Sequence, residues 1–253
     1  MWVGQQLADG LDFWGFLGSL ILGGIILGIY TGLLGYVGAK TGLSLDLLSQ
    51  RAFGEKGSYL PSAMTSFTQI GWFSVGSFVS GGTATPNFAR FAKNGKSGAI
   101  TTVVAFFIRQ SLMFFFGAVS SIFVGGNDIF EVMVRLNLFY LAVLVLGLNI
   151  WTTNDNALYT AGLGLANIFH QRKKPMVLLS GIIGTVASVW LYYNFCGWLN
   201  ILNCTLPPVG MILVLAYFMN KEDFETDQPK LKTIDWFAVA GVILGAIVAN
   251  LLH

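Results

Sequence analysis

Long apolar runs alternate with short charged segments along this chain of 253 residues. A helix needs about 20 mostly apolar residues to cross the hydrocarbon of a bilayer, whereas an open strand cannot satisfy its backbone there. The pattern therefore predicts an all-α, multi-pass membrane protein with about seven spans, because the longest run can hold two of them. The runs are Phe13–Ala39, Leu60–Ala89, Ala99–Gly126, Leu136–Asn154, Pro175–Asn220 and Ile234–Leu252.

The composition agrees with a lipid environment. Only 10% of the residues are charged, whereas 55% are hydrophobic. Soluble domains carry about 25% charged residues, so this chain has too few polar groups to cover a globule in water. A net charge of +2 also excludes a nucleic-acid binder that relies on neutralising phosphates.

Motifs for catalysis, for a zinc site or for a disulfide framework are missing from the sequence. Cys196 and Cys204 share one apolar run, and neither they nor the two histidines have the spacing of a disulfide framework or a zinc site. A nucleophile paired with a base and a phosphate-binding loop are missing too. We therefore expect no enzyme and no cofactor. The first residues lack the basic start of a signal peptide, so none is expected.

The charged connections predict the orientation of the chain, because cytoplasmic loops are enriched in Lys and Arg. Arg90–Lys96, Arg172–Lys174 and Lys221–Lys232 are each two spans apart, so they share the cytoplasmic side. Only one span separates Lys40–Lys56 from Arg90–Lys96, which would put this first connection outside. An odd number of crossings is therefore expected to be missing between these two connections.

Two glycine patterns have different interpretations. Gly24, Gly28 and Gly32 recur at a spacing of four, which lets helix backbones approach closely in a bundle. The pair Gly81–Gly82 is expected instead to break a helix, and unwound backbone inside a membrane is typical of a transport site.

Gln69 and Trp72 lie three residues apart and therefore share one helix face. An unpaired amide in an apolar environment costs about 2–7 kcal/mol, so Gln69 must have a partner. That partner is either another helix or the edge of a polar ligand, with Trp72 as a stacking surface. An uncharged site of this kind suits a neutral, flat, hydrogen-bonding ligand.

The densest polar cluster contains Asn149, Thr152 and Thr153, which are spaced so that three oxygen atoms face one direction. Hard cations prefer oxygen ligands, so the cluster is a candidate cation site. Two alternatives remain open at this point. Residues Asn154–Asn156 could form a solvated helix end, and Asp155 could relay protons.

Four segments together resemble the cytosine-transporting bacterial members of the nucleobase–cation symport family, and the resemblance covers nearly the whole chain. The segments are Leu22–Thr31, Leu34–Leu43, Gln69–Phe73 and Val145–Tyr159. The resemblance implies a leucine-transporter-like fold of twelve spans, ten of which form two inverted repeats with broken helices. It also implies import of cytosine in symport with a cation, sodium, by alternating access.

The resemblance implies a substrate-binding role for six residues, one of which, Asn149, is shared with the ion site described below. Gln69 would hydrogen-bond the base, and Trp72 would stack on it. Ser77, Phe78 and Ser80 match the broken sixth helix, with Phe78 as the opposite wall of the site.

The resemblance also implies a sodium site. Asn149 would lie near both the base and the ion, and Thr152 and Thr153 would supply ligating hydroxyls. Because the base and the ion would then share Asn149, this residue is the natural place for coupling between them.

The chain departs from the family at one internal position. Gly76 is followed directly by Ser77, where the family has the rest of helix three and two further helices. Three missing crossings would return Lys40–Lys56 to the cytoplasm. We interpret residues 1–253 as a single transmembrane transporter domain with a junction at 76/77.

Several alternatives to cytosine–sodium symport remain open. A related permease could carry uracil, a hydantoin or a purine, or could use protons through Asp155. A passive channel or a substrate sensor belongs to a different class. The expected partners are a nucleobase, sodium and the lipid bilayer, with the protein a monomer in the bacterial inner membrane.

Overall fold

The computed structural model describes residues 12–75, 83–124, 129–226, 229 and 231–251, and no strand is present among them. In chain order the helices are α1 Phe13–Thr41, α2 Leu45–Phe53, α3 Tyr59–Val75, α4 Pro86–Ala89, α5 Gly95–Val124, α6 Ile129–Arg135, α7 Phe139–Phe169, α8 Lys173–Tyr193, α9 Phe195–Met219, α10 Lys221–Glu225 and α11 Trp236–Leu251.

The apolar runs and the long helices correspond. Each run overlaps one long helix, except that the longest run overlaps both α8 and α9, which flank Asn194. In the described part of the chain, four helical segments are long and apolar enough to cross a membrane, and the shorter α11 is apolar as well. These segments are Phe13–Thr41, Gly95–Val119, Lys173–Leu191 and Ile201–Met219. The prediction of an all-α, multi-pass membrane protein is confirmed.

Large apolar side chains are exposed on the outside of the long helices. Val186 on α8 is 78% exposed, and Phe237 on α11 is 92% exposed. Exposure of apolar area to water costs about 25 cal/mol per Å². Lipid removes this cost, so the exposed surface agrees with the low charge content of the chain.

The chain forms two compact units, residues 1–29 with 101–152 and residues 30–100 with 153–253. In the first unit, α1 approaches α5 at two of its glycines. A Cβ atom at Gly24 would lie 3.0 Å from Phe107 Cε2, and one at Gly28 would lie 3.6 Å from Val103 Cγ1. The glycine spacing thus permits the close helix contact that it predicted.

The core of the second unit lies where α1, α2, α9 and α11 meet. Its most buried residues include Leu34, Val37, Leu45, Leu48, Phe53, Val209, Leu213, Tyr217 and Val242. α3 packs against α8, α2 and α9. A smaller cluster joins α7, α8 and α9 through Ala157, Leu191, Trp198, Leu202 and Leu206.

The connection Lys40–Lys56 is joined by its backbone to the segment that precedes α11. The Glu55 N–H donates to the Lys232 carbonyl at 2.7 Å, and the Lys56 N–H donates to the Thr233 carbonyl at 2.8 Å. Both connections therefore lie at the same end of the second unit, as the resemblance implied.

The other two basic connections contact the same end. Asn87, which precedes Arg90–Lys96, accepts a hydrogen bond from the Leu45 N–H at 2.8 Å. Arg90 lies close enough to Asp46 of α2 to lower the pKa of that carboxyl, and Tyr59 Oη, just after Lys40–Lys56, lies 2.7 Å from Nε2 of His170, which precedes Arg172–Lys174. One end of the second unit thus gathers the basic connections that the positive-inside rule assigns to the cytoplasm.

Candidate functional site

The candidate site is built on α3 and on the part of α7 from Thr153 onward, which run antiparallel within the second unit. The contacts along the pair are Tyr59 Oη with His170 Nε2 at 2.7 Å, Asn167 Nδ2 with Ser62 Oγ at 2.9 Å, and Ser66 Oγ with the Ala161 carbonyl at 3.1 Å. The residue numbers rise along α3 as they fall along α7, so the two helices run antiparallel. The last step of the contacts differs by two residues between the helices, so they give relative heights to within about one turn.

Gln69 lies on α3 one turn beyond the last of these contacts and is 6% exposed. The contacts place it near the level of Leu158–Thr160, and Thr160 is 2% exposed. Thr153 is near the level of Val75, about 9 Å further along α3 at 1.5 Å per residue. The helix pair therefore brings the predicted amide and one predicted sodium ligand within about two turns of each other.

The other predicted ligands are not tested by the structure. Ser77, Phe78 and Ser80 lie outside the described residues. The backbones of Trp72, Asn149 and Thr152 are helical, but their side chains lie outside the described residues too. Thr153, by contrast, is described and half-buried. The roles of these residues stay predictions.

The structure shows whether α7 ends at Asn154–Asn156. α7 runs without a break from Phe139 to Phe169 and carries Asn154–Asn156 in its interior. The alternative interpretation of these residues as a solvated helix end is therefore wrong. A polar cluster resembles a cap in sequence, but here the backbone hydrogen bonds of the helix continue through it. Asp155 is exposed within this helix.

Two buried oxygen atoms on α7 accept no hydrogen bond from the described residues. They are Asn154 Oδ1, which follows Thr153 directly, and Thr160 Oγ1, which is near the level of Gln69. Buried polar atoms usually have a partner, so each of them is available to a ligand or an ion. The sequence analysis did not single out Thr160, because one hydroxyl in an apolar helix is not distinctive.

A second polar cluster, which joins α2, α3 and α7, lies toward the basic end of the unit. Ser62 Oγ donates to Asp46 Oδ1 at 2.7 Å, and Asn167 donates to Ser62. Burial raises the pKa of the Asp46 carboxyl to about 6, although the hydrogen bond from Ser62 and the positive charge of Arg90 lower it. The sequence does not distinguish this carboxyl from a solvated one, because it belongs to a charged connection between two apolar runs.

The buried Asp46 predicts a pH-dependent stability. An ordinary carboxyl titrates near 3.8, so the unfolded chain loses this proton at lower pH than the folded protein does. The free energy of unfolding should therefore fall as pH rises from about 4 to about 6, by about 3 kcal/mol. Asp46→Asn should remove this decrease in the free energy of unfolding. Thermal unfolding of detergent-purified protein at stepped pH measures it.

Ser62→Ala is a control that should change the pH dependence of stability in the opposite direction to Asp46→Asn. Loss of the hydrogen bond that lowers the pKa of Asp46 should extend the fall in stability to higher pH. If Asp46→Asn and the wild type show the same pH dependence, Asp46 is not the group responsible.

Comparison with known proteins identifies relatives over nearly the whole chain. The family model described as permease for cytosine/purines, uracil, thiamine, allantoin matches residues 1–84 and 74–252. The cytosine permeases of Escherichia coli strain K12 and of Escherichia coli O157:H7 are each 35% identical over 336 aligned residues, covering 97% of this chain and 80% of the relative. The alignments are longer than the chain, so they pass over positions that the chain lacks.

Proposed function

This chain belongs to the family of permeases for cytosine and purines, uracil, thiamine and allantoin, and we propose that it imports cytosine together with sodium by alternating access. Its relatives are transporters and not enzymes. The protein is a multi-pass membrane protein, and the bacterial inner membrane is its proposed location.

The observation that carries the proposal is the burial of Gln69 on α3. A glutamine amide offers one acceptor and two donor hydrogens, which matches the neighbouring donor and acceptor groups on the edge of a base. The Thr160 hydroxyl lies near the same level on α7 and is a second group able to contact the base. Trp72 and Phe78 are the proposed stacking surfaces, which are worth about 1–3 kcal/mol per base in nucleic-acid complexes.

The proposed sodium site uses oxygen atoms of α7. The ligands are Asn149, Thr152 and Thr153, and the buried Asn154 Oδ1 supports an oxygen-rich surface at this level. Since Thr153 lies on the part of α7 that pairs with α3, sodium bound there and cytosine can stabilise the same arrangement of the two helices. Each ligand then raises the affinity for the other by the same factor.

We also propose that a segment present in the relatives is missing at the junction of Gly76 and Ser77. The two matches to the family model overlap at residues 74–84, which contain this junction. The alignments with the cytosine permeases, which are longer than this chain, support the same interpretation. Because absent helices affect transport and binding differently, both have to be measured.

The test of the proposed function is binding and uptake by purified protein. Cytosine should bind more tightly with sodium than without it, and proteoliposomes with an inward sodium gradient should concentrate labelled cytosine. Uptake that never exceeds equilibrium indicates a channel, and binding without uptake indicates a sensor. Competition by uracil, hydantoin and purines identifies a different substrate, and uptake driven by a pH gradient alone indicates coupling to protons.

Thr152→Ala should raise the sodium concentration for half-maximal binding of cytosine about tenfold, because one oxygen ligand is lost. Titration of sodium at a fixed cytosine concentration measures the change. Thr185→Ala is the matched control, since the Thr185 hydroxyl on α8 donates only to the Gly181 carbonyl of its own helix in the described contacts. An unchanged sodium dependence in Thr152→Ala would exclude this residue from the ion site.

A further inference from the structure

Gly71 of α3 lies directly against the side chain of Trp198 on α9. A Cβ atom at Gly71 would overlap the six-membered ring of Trp198 and would lie 2.6 Å from its Cε2 atom. Real Cβ atoms essentially never approach a ring carbon so closely. The absence of a side chain at Gly71 therefore sets how near α3 can come to α9.

Trp198 has little freedom to move away from this contact. It is 3% exposed and belongs to the cluster of Ala157, Leu191, Leu202 and Leu206, which are all buried. Protein interiors are close-packed, so a large ring held on several sides cannot shift without moving its neighbours. The ring is a fixed surface on which α3 rests.

The contact between Gly71 and Trp198 lies on a different face of α3 from the candidate site. Gly71 follows Gln69 by two residues, which is about 200° around a helix at 100° per residue. The ring of Trp198 therefore supports the side of α3 opposite to Gln69. Because a helix moves as a rigid element over one turn, a displacement of α3 at Gly71 also displaces Gln69.

We propose that Trp198 is a positioning residue for the nucleobase site, acting through its contact with Gly71 to set how far α3 projects Gln69. The inference rests on the proposed function, because it concerns the affinity for the base that Gln69 is proposed to bind. A site that is misplaced by about 1 Å loses much of its affinity, so the effect should be large.

The experiment enlarges the residue at position 71 and shrinks the one at position 198, singly and together. The dissociation constant for cytosine is measured for each variant. Gly71→Ala should weaken binding about tenfold or more, and Trp198→Leu, which removes the support, should weaken it as well. The double variant should bind more tightly than Gly71→Ala alone, because the smaller side chain leaves room for the methyl group. Trp198→Phe, which keeps an aromatic ring, repeats the experiment if the leucine variants fail to fold.

Two further comparisons distinguish a positioning role of Trp198 from a general loss of stability. In a Gln69→Ala background, Gly71→Ala should change cytosine affinity less than twofold, because the side chain that it displaces is already gone. Gly245→Ala on α11 is the matched control, since a Cβ there would lie 2.9 Å from Pro208 Cγ of α9, away from α3 and α7. It should lower thermal stability and leave cytosine affinity unchanged.

The outcomes distinguish a failure of the proposed function from a failure of the positioning role of Trp198. Failure of the wild type to bind cytosine overturns the proposed function, and the inference with it. If the wild type binds and the two substitutions weaken binding independently, or do not weaken it at all, only the positioning role of Trp198 is overturned.

Discussion

Gln69→Ala is expected to weaken cytosine binding about 10- to 100-fold, the equivalent of one or two good hydrogen bonds. The amide is buried on α3, so a base that binds there loses a partner that water cannot replace. Equilibrium binding of labelled cytosine to purified protein, at saturating sodium, measures the change.

Gln50→Ala is the matched control for this substitution. Gln50 lies on α2 and donates to Asn167 in the polar cluster near the basic connections, well away from the level of Gln69. Its loss should affect thermal stability and leave cytosine affinity unchanged. Wild-type affinity in Gln69→Ala would remove Gln69 from the site, and an equal loss in both variants would point to general destabilisation.

Gly164→Ala is expected to weaken the contact between α3 and α7 and to lower the affinity for both cytosine and sodium. A Cβ at Gly164 would overlap Ser66 Oγ and would lie 2.8 Å from the Ser62 carbonyl oxygen. The Ser66 hydroxyl can rotate, but the backbone carbonyl cannot, so the helices must separate. Overpacking of this kind costs about 1–3 kcal/mol. Thermal unfolding and ligand titration measure the two effects.

Gly181→Ala on α8 tests whether adding a methyl group to any helical glycine has this effect. The nearest atom to a Cβ there is Leu158 Cδ2 at 3.6 Å, an ordinary contact. Replacing glycine in a helix with alanine favours the helix by up to about 1 kcal/mol, so this variant should keep or gain stability. Equal losses in Gly164→Ala and Gly181→Ala would contradict the special role of the α3–α7 contact.

The candidate site was only partly predictable. The residue types at Gln69, Thr152 and Thr153 indicate a neutral ligand and a hard cation. An uncharged amide within a membrane suits a neutral hydrogen-bonding ligand, and hydroxyl oxygens suit a hard cation. The proposed role of Thr160 was not predictable, since its height relative to Gln69 depends on how two helices pack together. The polar run Asn154–Asn156 suggested a helix end, but α7 continues through it. Local composition cannot tell a cap from a polar patch inside a helix.

The sequence by itself determined the all-α class, the positions of the long helices and the membership of a permease family. Spanning a bilayer depends on the apolar length of one segment, which is a local property of the chain. Only the tertiary structure decided that Trp198 contacts α3 at Gly71, that Asp46 is buried, and that Lys40–Lys56 lies beside the segment before α11. These features join residues far apart in the chain, and they depend on shapes and distances that hydropathy does not encode.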